Sequence, residues 1–501
     1  MNWLLAPVLG ALFCFGLAPF DQWWWMLLSI GALFLLFMQR DTGHAWLAWA
    51  YGLGKFGFGA SWVYVSIHEY GNASPALALL LVVLFTALTA FLFCWPLGWL
   101  YGRLRNAGRT PGVVWRNAIL FVGLWGLLDW TATWLLTGFP WLYAGNGLLD
   151  TVFSGWLPVV GILGTSALFA LSAVALSVVL LCRQHWPSIA AGLGVALLPW
   201  LVAWGLMKVE WVTPANTHTV ALVQGNLDQN LKWQRDQAMP NVRRHVELSA
   251  DHWDADLLIW PEAAITFYPQ QAEDLLEQLA RQASETQTAF VFGIPGITQI
   301  GDGYQFQNLA LGVGLARGRF AKYHLVPFGE YVPFAFALRG LIDFFDLPMS
   351  SSVPGRRDQP NLHTQFGELA MAICYEVAYP QSMRRKAATA SVLATISNDT
   401  WFGESIGPLQ HMQLARVRAR ENGRWLLRAT NNGVTAIVNH QGHIVAQLPQ
   451  FQADTLRGEF TVMQGITPYT RHGSLWVLIG LALCLLPAIG GIFAARLQPQ
   501  K

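Results

Sequence analysis

Charge is spread along this 501-residue chain in a way that few folds can accommodate. Residues 1–207 carry 12 charged side chains, residues 208–473 carry 46, and residues 474–501 carry two. A segment of 207 residues with so few charges has no solvated face to offer water, so it must lie in lipid, while the middle segment has the charge density of a soluble domain. The expected organisation is therefore residues 1–207 as transmembrane helices 1 to 7, residues 208–473 as one soluble domain, and residues 474–501 as helix 8 with a short tail. A net charge of +2 gives no ground for a nucleic-acid partner.

Apolar windows long enough to cross a bilayer, which takes roughly 20 residues, run near 3–20, 23–38, 44–66, 76–100, 114–136, 157–182, 187–207 and 474–494. The first has no basic region before it and a second span follows at once, so it reads as a helix rather than a signal peptide. Arg40, Arg103, Arg105, Arg109, Arg116, Arg183, Arg496 and Lys501 fall on one side, whereas the short connections of the other side offer Asp21, Glu69 and Asp150, with Lys208 the only base beside a helix end. The positive-inside rule then puts both termini in the cytoplasm and the 208–473 domain outside it.

Lys55 and Asp129 sit inside spans, where a charge is costly; they are expected to pair with each other, to snorkel, or to serve a function. Residues 52–57, GLGKFG, match a dinucleotide fingerprint in letters only, since no strand precedes them; small residues that let helices approach closely are explanation enough. Aromatic residues crowd two extracytoplasmic connections: Trp62, Tyr64 and Tyr70, then Phe139, Trp141 and Tyr143. An interfacial belt accounts for such rings, and they could also line a lipid-entry groove.

Within the soluble segment, strand-like and helix-like stretches interleave, which makes the class α/β. Expected strands are 219–223, 257–260, 289–293, 308–313, 369–373, 391–396, 425–428, 433–438 and 443–447; expected helices are 242–252, 273–284 and 407–422. Leu369 to Ile373 is continuously apolar, the mark of a strand buried on both faces, and it delivers Cys374 at its carboxyl end. Cys14, Cys94, Cys182 and Cys484 lie in apolar windows, so Cys374 has no disulfide partner in its own domain. A lone buried thiol is usually structural, but here two other groups share its chemistry. The apolar run LLIWPE stops at Pro261 and presents Glu262; KYHLVPFGEY presents Lys322. Taken singly, Glu262 reads more readily as a turn residue and Lys322 as a solvated surface lysine. Together they form a chemically complete set, in which a carboxylate takes the thiol proton and an ammonium stabilises first a thiolate and then an oxyanion.

The succession WPE, K-x-H-L-V-P-F-G-E and C-Y-E resembles the carbon-nitrogen hydrolase (nitrilase) superfamily, and the apolar flanks narrow the likeness to its membrane-embedded acyl-transferring members. The resemblance implies a membrane α-helical bundle of about eight transmembrane helices joined to an αββα sandwich. It implies too that the outside facing the 208–473 domain is the periplasm of a two-membrane bacterium and the anchoring membrane its inner one. It also implies a catalytic triad of Glu262, Lys322 and Cys374, with Glu330 as an assisting glutamate; by itself Glu330 pairs equally well with Arg339. Tyr375 supplies the natural oxyanion donor through its backbone N–H, and Glu376 follows directly. Trp233 matches a suspected substrate contact, and a buried aromatic is the plain alternative; Asn398 and Trp401 follow a strand end and are candidates to shape the pocket. His324 has no metal-ligand spacing around it, so no metal and no cofactor are expected. The implied reaction takes an acyl chain from a membrane phospholipid onto the cysteine and passes it to the amino-terminal amine of a diacylglyceryl lipoprotein precursor, by a monomer. The alternative is a membrane-tethered amidase that hydrolyses a C–N bond with the same residues. A transporter is disfavoured by the lack of evident inverted repeats.

Overall fold

The computed structural model describes residues 2–300, 303–340 and 350–487, and the chain divides into two compact units. The first contains residues 1–61, 79–210 and 472–501; the second contains 62–78 and 211–471. The end of the window expected near 474–494, with Arg496 and Lys501, lies outside the described residues.

In the first unit the helices are α1 (Asn2–Cys14), α2 (Trp24–Met38), α3 (His44–Gly59), α4 (Pro75–Phe93), α5 (Trp95–Leu104), α6 (Pro111–Thr131), α7 (Leu157–Leu181) and α8 (Trp186–Leu206), followed after the second unit by Leu475–Leu483. Among the described residues, four stretches are long and apolar enough to cross a membrane: Pro75–Leu104, Pro111–Thr131, Val152–Leu181 and Trp186–Leu206. Their apolar residues face outward in a way a soluble bundle would not tolerate; Leu80, Val83, Leu84 and Leu88 of α4 are all more than half exposed. Close packing of α1 on α3 explains the glycines there, because a methyl group at Gly54 would collide with the Pro7 carbonyl. Lys55 forms no ion pair with Asp129 at contact distance. Its ammonium is buried over the rings of Phe13 at 4.4 Å and Trp125 at 5.3 Å.

The second unit holds two six-stranded sheets. One contains β1 (Thr213–Gln224), β2 (Leu257–Ile259), β3 (Ala289–Ile300), β4 (Gly303–Gly314) and β5 (Gly318–Ala321); the other contains β6 (Leu362–Thr364), β7 (Gly367–Ile373), β8 (Val392–Ser397), β9 (Leu426–Thr430), β10 (Ala436–Val438) and β11 (Ile444–Gln447). β12 (Asp454–Gln464) returns to pair antiparallel with β1, so the orders are β12-β1-β2-β3-β4-β5 and β11-β10-β9-β8-β7-β6. The central strands β1, β2 and β3 run parallel, as do β7, β8 and β9.

Alternate residues of these strands enter different cores, because side chains of a strand point to opposite faces. Leu369, Met371 and Ile373 meet Leu222, Ile259 and Val291 between the sheets, while Ala370 and Ala372 face α11 (Pro380–Ala387) and α12 (Gly407–Asn422). On the far side, Ala221, Leu258 and Phe290 are covered by α9 (Ala238–Ser249) and α10 (Glu273–Glu285). The result is four layers, helix on sheet on sheet on helix, with every central strand buried on both faces. That burial is why the strands read as apolar runs rather than as alternating ones.

Candidate functional site

Three strand ends converge on one buried cluster in the second unit. β2 stops at Ile259 because Pro261 cannot donate to the ladder, and the chain turns through Ala263 in the left-handed region, φ +47°. The turn is held against β3 at Gly293, where an added Cβ would lie 2.5 Å from the Ala263 nitrogen; only glycine permits that approach. Glu262 at its apex is buried, with Oε2 accepting the Asn398 backbone N–H at 2.8 Å and Oε1 accepting from Asn308 Nδ2 at 2.5 Å. Lys232, buried just before the exposed Trp233, donates to the Glu262 main-chain carbonyl at 3.1 Å.

After β5 the chain delivers Lys322. Its ammonium lies 2.8 Å from Glu330 Oε1 and 3.4 Å from Glu262 Oε1. Burial alone would strip this lysine of its proton, but the two carboxylates and Cys374 outweigh that penalty and hold it above its ordinary value, firmly charged. Glu330 is itself placed by the turn it closes, taking the Val326 N–H on Oε2 at 2.8 Å. Burial raises its carboxyl while Lys322 opposes the rise. The alternative partner Arg339 donates instead to the Ser350 carbonyl.

β7 ends at Ile373, and Cys374 opens a short 3-10 helix, Cys374–Ala378, with φ +53°. A non-glycine residue in that region costs on the order of 1–3 kcal/mol and persists only where its surroundings impose it. Strand, sharp turn and helix start is the arrangement that lifts a nucleophile clear of its sheet. Glu376, fully buried, helps impose it by gathering three backbone N–H groups: Ile373 at 2.9 Å, Tyr323 at 2.9 Å and His324 at 3.2 Å. One carboxylate thus ties the Cys374 turn to the Lys322 segment. The Cys374 thiol is pushed up to about 12 by burial and by Glu262, with Lys322 opposing. A thiol held that high is protonated at neutral pH, and a thiol in that state acts as a nucleophile only where a base takes its proton as it attacks.

Beneath Cys374 lies a second cluster. His411 Nε2 is 3.1 Å from the Cys374 carbonyl oxygen, and Nδ1 is 2.9 Å from Asp399 Oδ1 and 3.0 Å from Arg428 Nη2. Arg428 Nη2 also donates to Asp399 Oδ2 at 2.7 Å, and Ser397 Oγ to Oδ1 at 2.6 Å. All of these side chains are fully buried or within 1% of it. Burial would raise Asp399, yet Arg428 and His411 hold its carboxyl well below the usual range; His411 is lowered by burial and by Arg428. Cys374, Asp399 and His411 bring possible metal-ligand atoms within 4.8 Å of one another, but both oxygens of Asp399 and both nitrogens of His411 already face protein partners.

Of the residues singled out from sequence, Glu262, Lys322, Glu330, Cys374 and Glu376 come together with Asn398, whose Nδ2 donates to Gln229. Trp401 is placed by a different set: its carbonyl accepts from Ser66 Oγ at 2.7 Å and its ring meets Tyr70 at 5.7 Å. Trp233 is 43% exposed and no member of the buried cluster. His324 stacks on Tyr379 at 3.6 Å and is lowered to about 3 by burial and by Lys386, Arg385 and Arg357, so it is a neutral packing residue. Asn308, Lys232, Asp399, His411 and Arg428 escaped the sequence reading; the one signal was a charged Arg428 inside the apolar run LLRAT.

The carbon-nitrogen hydrolase family model matches residues 219–464, and the apolipoprotein N-acyltransferase N-terminal domain model matches residues 9–175. The apolipoprotein N-acyltransferase of Pseudomonas aeruginosa strain LESB58 is 44% identical over 501 residues, covering 99% of this chain and 97% of its own. This chain belongs to the apolipoprotein N-acyltransferase family. The Azotobacter vinelandii apolipoprotein N-acyltransferase is 42% identical over 96% of this chain and 93% of its own. Among solved structures, the C. elegans NitFhit protein is similar at 18% identity and a TM-score of 0.37, over 56% of this chain and 65% of that one. As a member of the apolipoprotein N-acyltransferase family, the chain is an acyl-transferring enzyme, with its carbon-nitrogen hydrolase unit following the helical region.

Proposed function

We propose that Cys374 takes an acyl chain from a membrane phospholipid as a thioester and passes it to the N-terminal α-amine of a diacylglyceryl-cysteine lipoprotein precursor. In the first half-reaction Glu262 accepts the thiol proton as sulfur attacks the ester carbonyl, and the oxyanion forms between the Lys322 ammonium and the Tyr375 N–H. The C–O bond breaks, the leaving lysophospholipid oxygen takes the proton back from Glu262, and the thioester remains. In the second, the α-amine attacks the thioester, Glu262 takes its proton, the C–S bond breaks, and the sulfur recovers the proton as the amide forms. Glu330 neutralises Lys322 and keeps it in place, and Asn398 N–H orients Glu262.

The observation that carries this reading is the placement of Lys322 between Glu262 and Glu330. With two carboxylates around one ammonium, one can act as base while the other preserves charge balance. The domain division proposed is residues 1–207 and 474–501 in the inner membrane and 208–473 in the periplasm, with both termini cytoplasmic. The test is release of lysophospholipid by the purified chain with and without a diacylglyceryl lipopeptide. Turnover that requires the lipopeptide and yields its N-acyl form supports transfer to an amine; equal turnover with water alone would make the protein a hydrolase.

A further inference from the structure

We propose that His411 is a positioning residue that grips the Cys374 carbonyl and so aims the Tyr375 N–H at the developing oxyanion. The inference rests on the reading of Cys374 as nucleophile and of the Tyr375 N–H as its oxyanion donor, and it assigns a task to a buried cluster that the proposed chemistry leaves unused. The carbonyl of Cys374 and the N–H of Tyr375 are the two ends of one peptide unit, which is planar, so fixing the oxygen fixes the direction of the N–H on the opposite edge. His411 Nε2 stands 3.1 Å from that oxygen. A carbonyl oxygen can only accept, so Nε2 carries a proton in either arrangement open to the ring: neutral with Nδ1 accepting from Arg428, or charged with Nδ1 donating to Asp399.

Two consequences follow from this assignment. A nitrogen that already carries a proton cannot take one from the thiol, so His411 is not the base despite lying among atoms within 4.8 Å of the Cys374 sulfur; that task stays with Glu262. Hydrogen bonding to the carbonyl also polarises the peptide and makes its N–H a stronger donor, an effect enhanced in a dry interior. The left-handed backbone of Cys374, φ +53°, explains why such a grip is needed, since this turn lies in a region that relaxes unless it is held. Asp399 and Arg428 in turn fix the ring, and Trp62 Nε1 donates at 3.2 Å to Gln410, the residue before His411, steadying the same helix.

The test compares two reactions of Cys374 in the full-length protein in detergent. Acylation, by phospholipid or by p-nitrophenyl butyrate, passes through an oxyanion; alkylation by iodoacetamide does not, yet it needs the same sulfur, base and access. His411→Phe is expected to slow acylation by on the order of 10- to 100-fold, the scale of weakening an oxyanion donor, while alkylation stays within about threefold of wild type. His411→Gln, whose amide NH₂ offers a donor near the Nε2 position, is expected to return the ratio of acylation to alkylation to within about threefold of wild type. Parallel loss of both reactions in the Phe variant, or no loss of either, would overturn the proposal. If the Phe variant does not fold, a collapsed acylation-to-alkylation ratio in the Gln variant overturns it alone. Failure of wild type to acylate from phospholipid while it still reacts with the p-nitrophenyl ester would count against the donor proposed above and leave the His411 comparison readable.

Discussion

Lys322 stands nearer to Glu330, at 2.8 Å, than to Glu262, at 3.4 Å. In the proposed mechanism the shorter pair holds Lys322 in place and the longer one leaves Glu262 freer to take up and release a proton. Removing either partner should therefore have different consequences.

Glu262→Gln keeps shape and loses the base, and Lys322→Met loses the charge beside the oxyanion. Each is expected to slow thioester formation by a factor on the order of 10² or more, measured as a burst of lysophospholipid release. Near-normal bursts would reduce the residue concerned to a structural part.

Glu376→Gln should damage placement rather than chemistry. The carboxylate gathers three backbone N–H groups from both sides of the site, and a glutamine has one acceptor oxygen for them. The expected result is reduced acylation together with faster proteolytic cleavage in the 322–331 segment. Unchanged cleavage would show that the segment is held by other contacts.

Asp399→Asn should cost stability. The change leaves the fully buried Arg428 without its carboxylate, which for a broken buried pair is roughly 3–5 kcal/mol, read as a fall in the thermal unfolding temperature. The sign of the pH dependence follows from its carboxyl being held below 3.8, the ordinary value. The contribution is fully present above pH about 4 and is lost as pH falls through the lower folded-state value. The wild type should therefore lose its advantage over the variant on acidification, and an advantage that grows instead would contradict this assignment.

Much of this was readable from the residues, for physical reasons. Leu369 to Ile373 and LLIWPE announce themselves because strands buried on both faces are continuously apolar, and a proline or a lone cysteine marks where each ends. β12 escaped because Asp454–Gln464 alternates charged and apolar residues on a half-exposed edge strand, which looks like a surface loop. β3 and β4 run to 12 residues each, beyond the apolar segments expected, because their far ends pair with each other as a hairpin. The Asp399–His411–Arg428 cluster is assembled from three elements separated by up to 29 residues, a contact no local pattern encodes. Glu376 was legible as a near neighbour of Cys374, but its clamping of the Lys322 segment depends on a pairing across 53 residues.

Membrane topology has its own test. A reporter fused after Arg105 is expected to read as cytoplasmic and one placed within 208–473 as periplasmic, because the basic residues cluster in alternate connections. A cytoplasmic reading for the second would invert the proposed orientation.

The central claim is that Cys374 carries the acyl chain, and intact-mass spectrometry of the purified protein tests it most directly. Incubated with phospholipid alone, the wild type is expected to gain the mass of one acyl chain, to lose it to neutral hydroxylamine, and to discharge it on addition of a diacylglyceryl lipopeptide with a free amine. Cys374→Ala is expected to gain nothing; an adduct of the same mass on that variant, or lipopeptide acylation surviving it, would contradict the account.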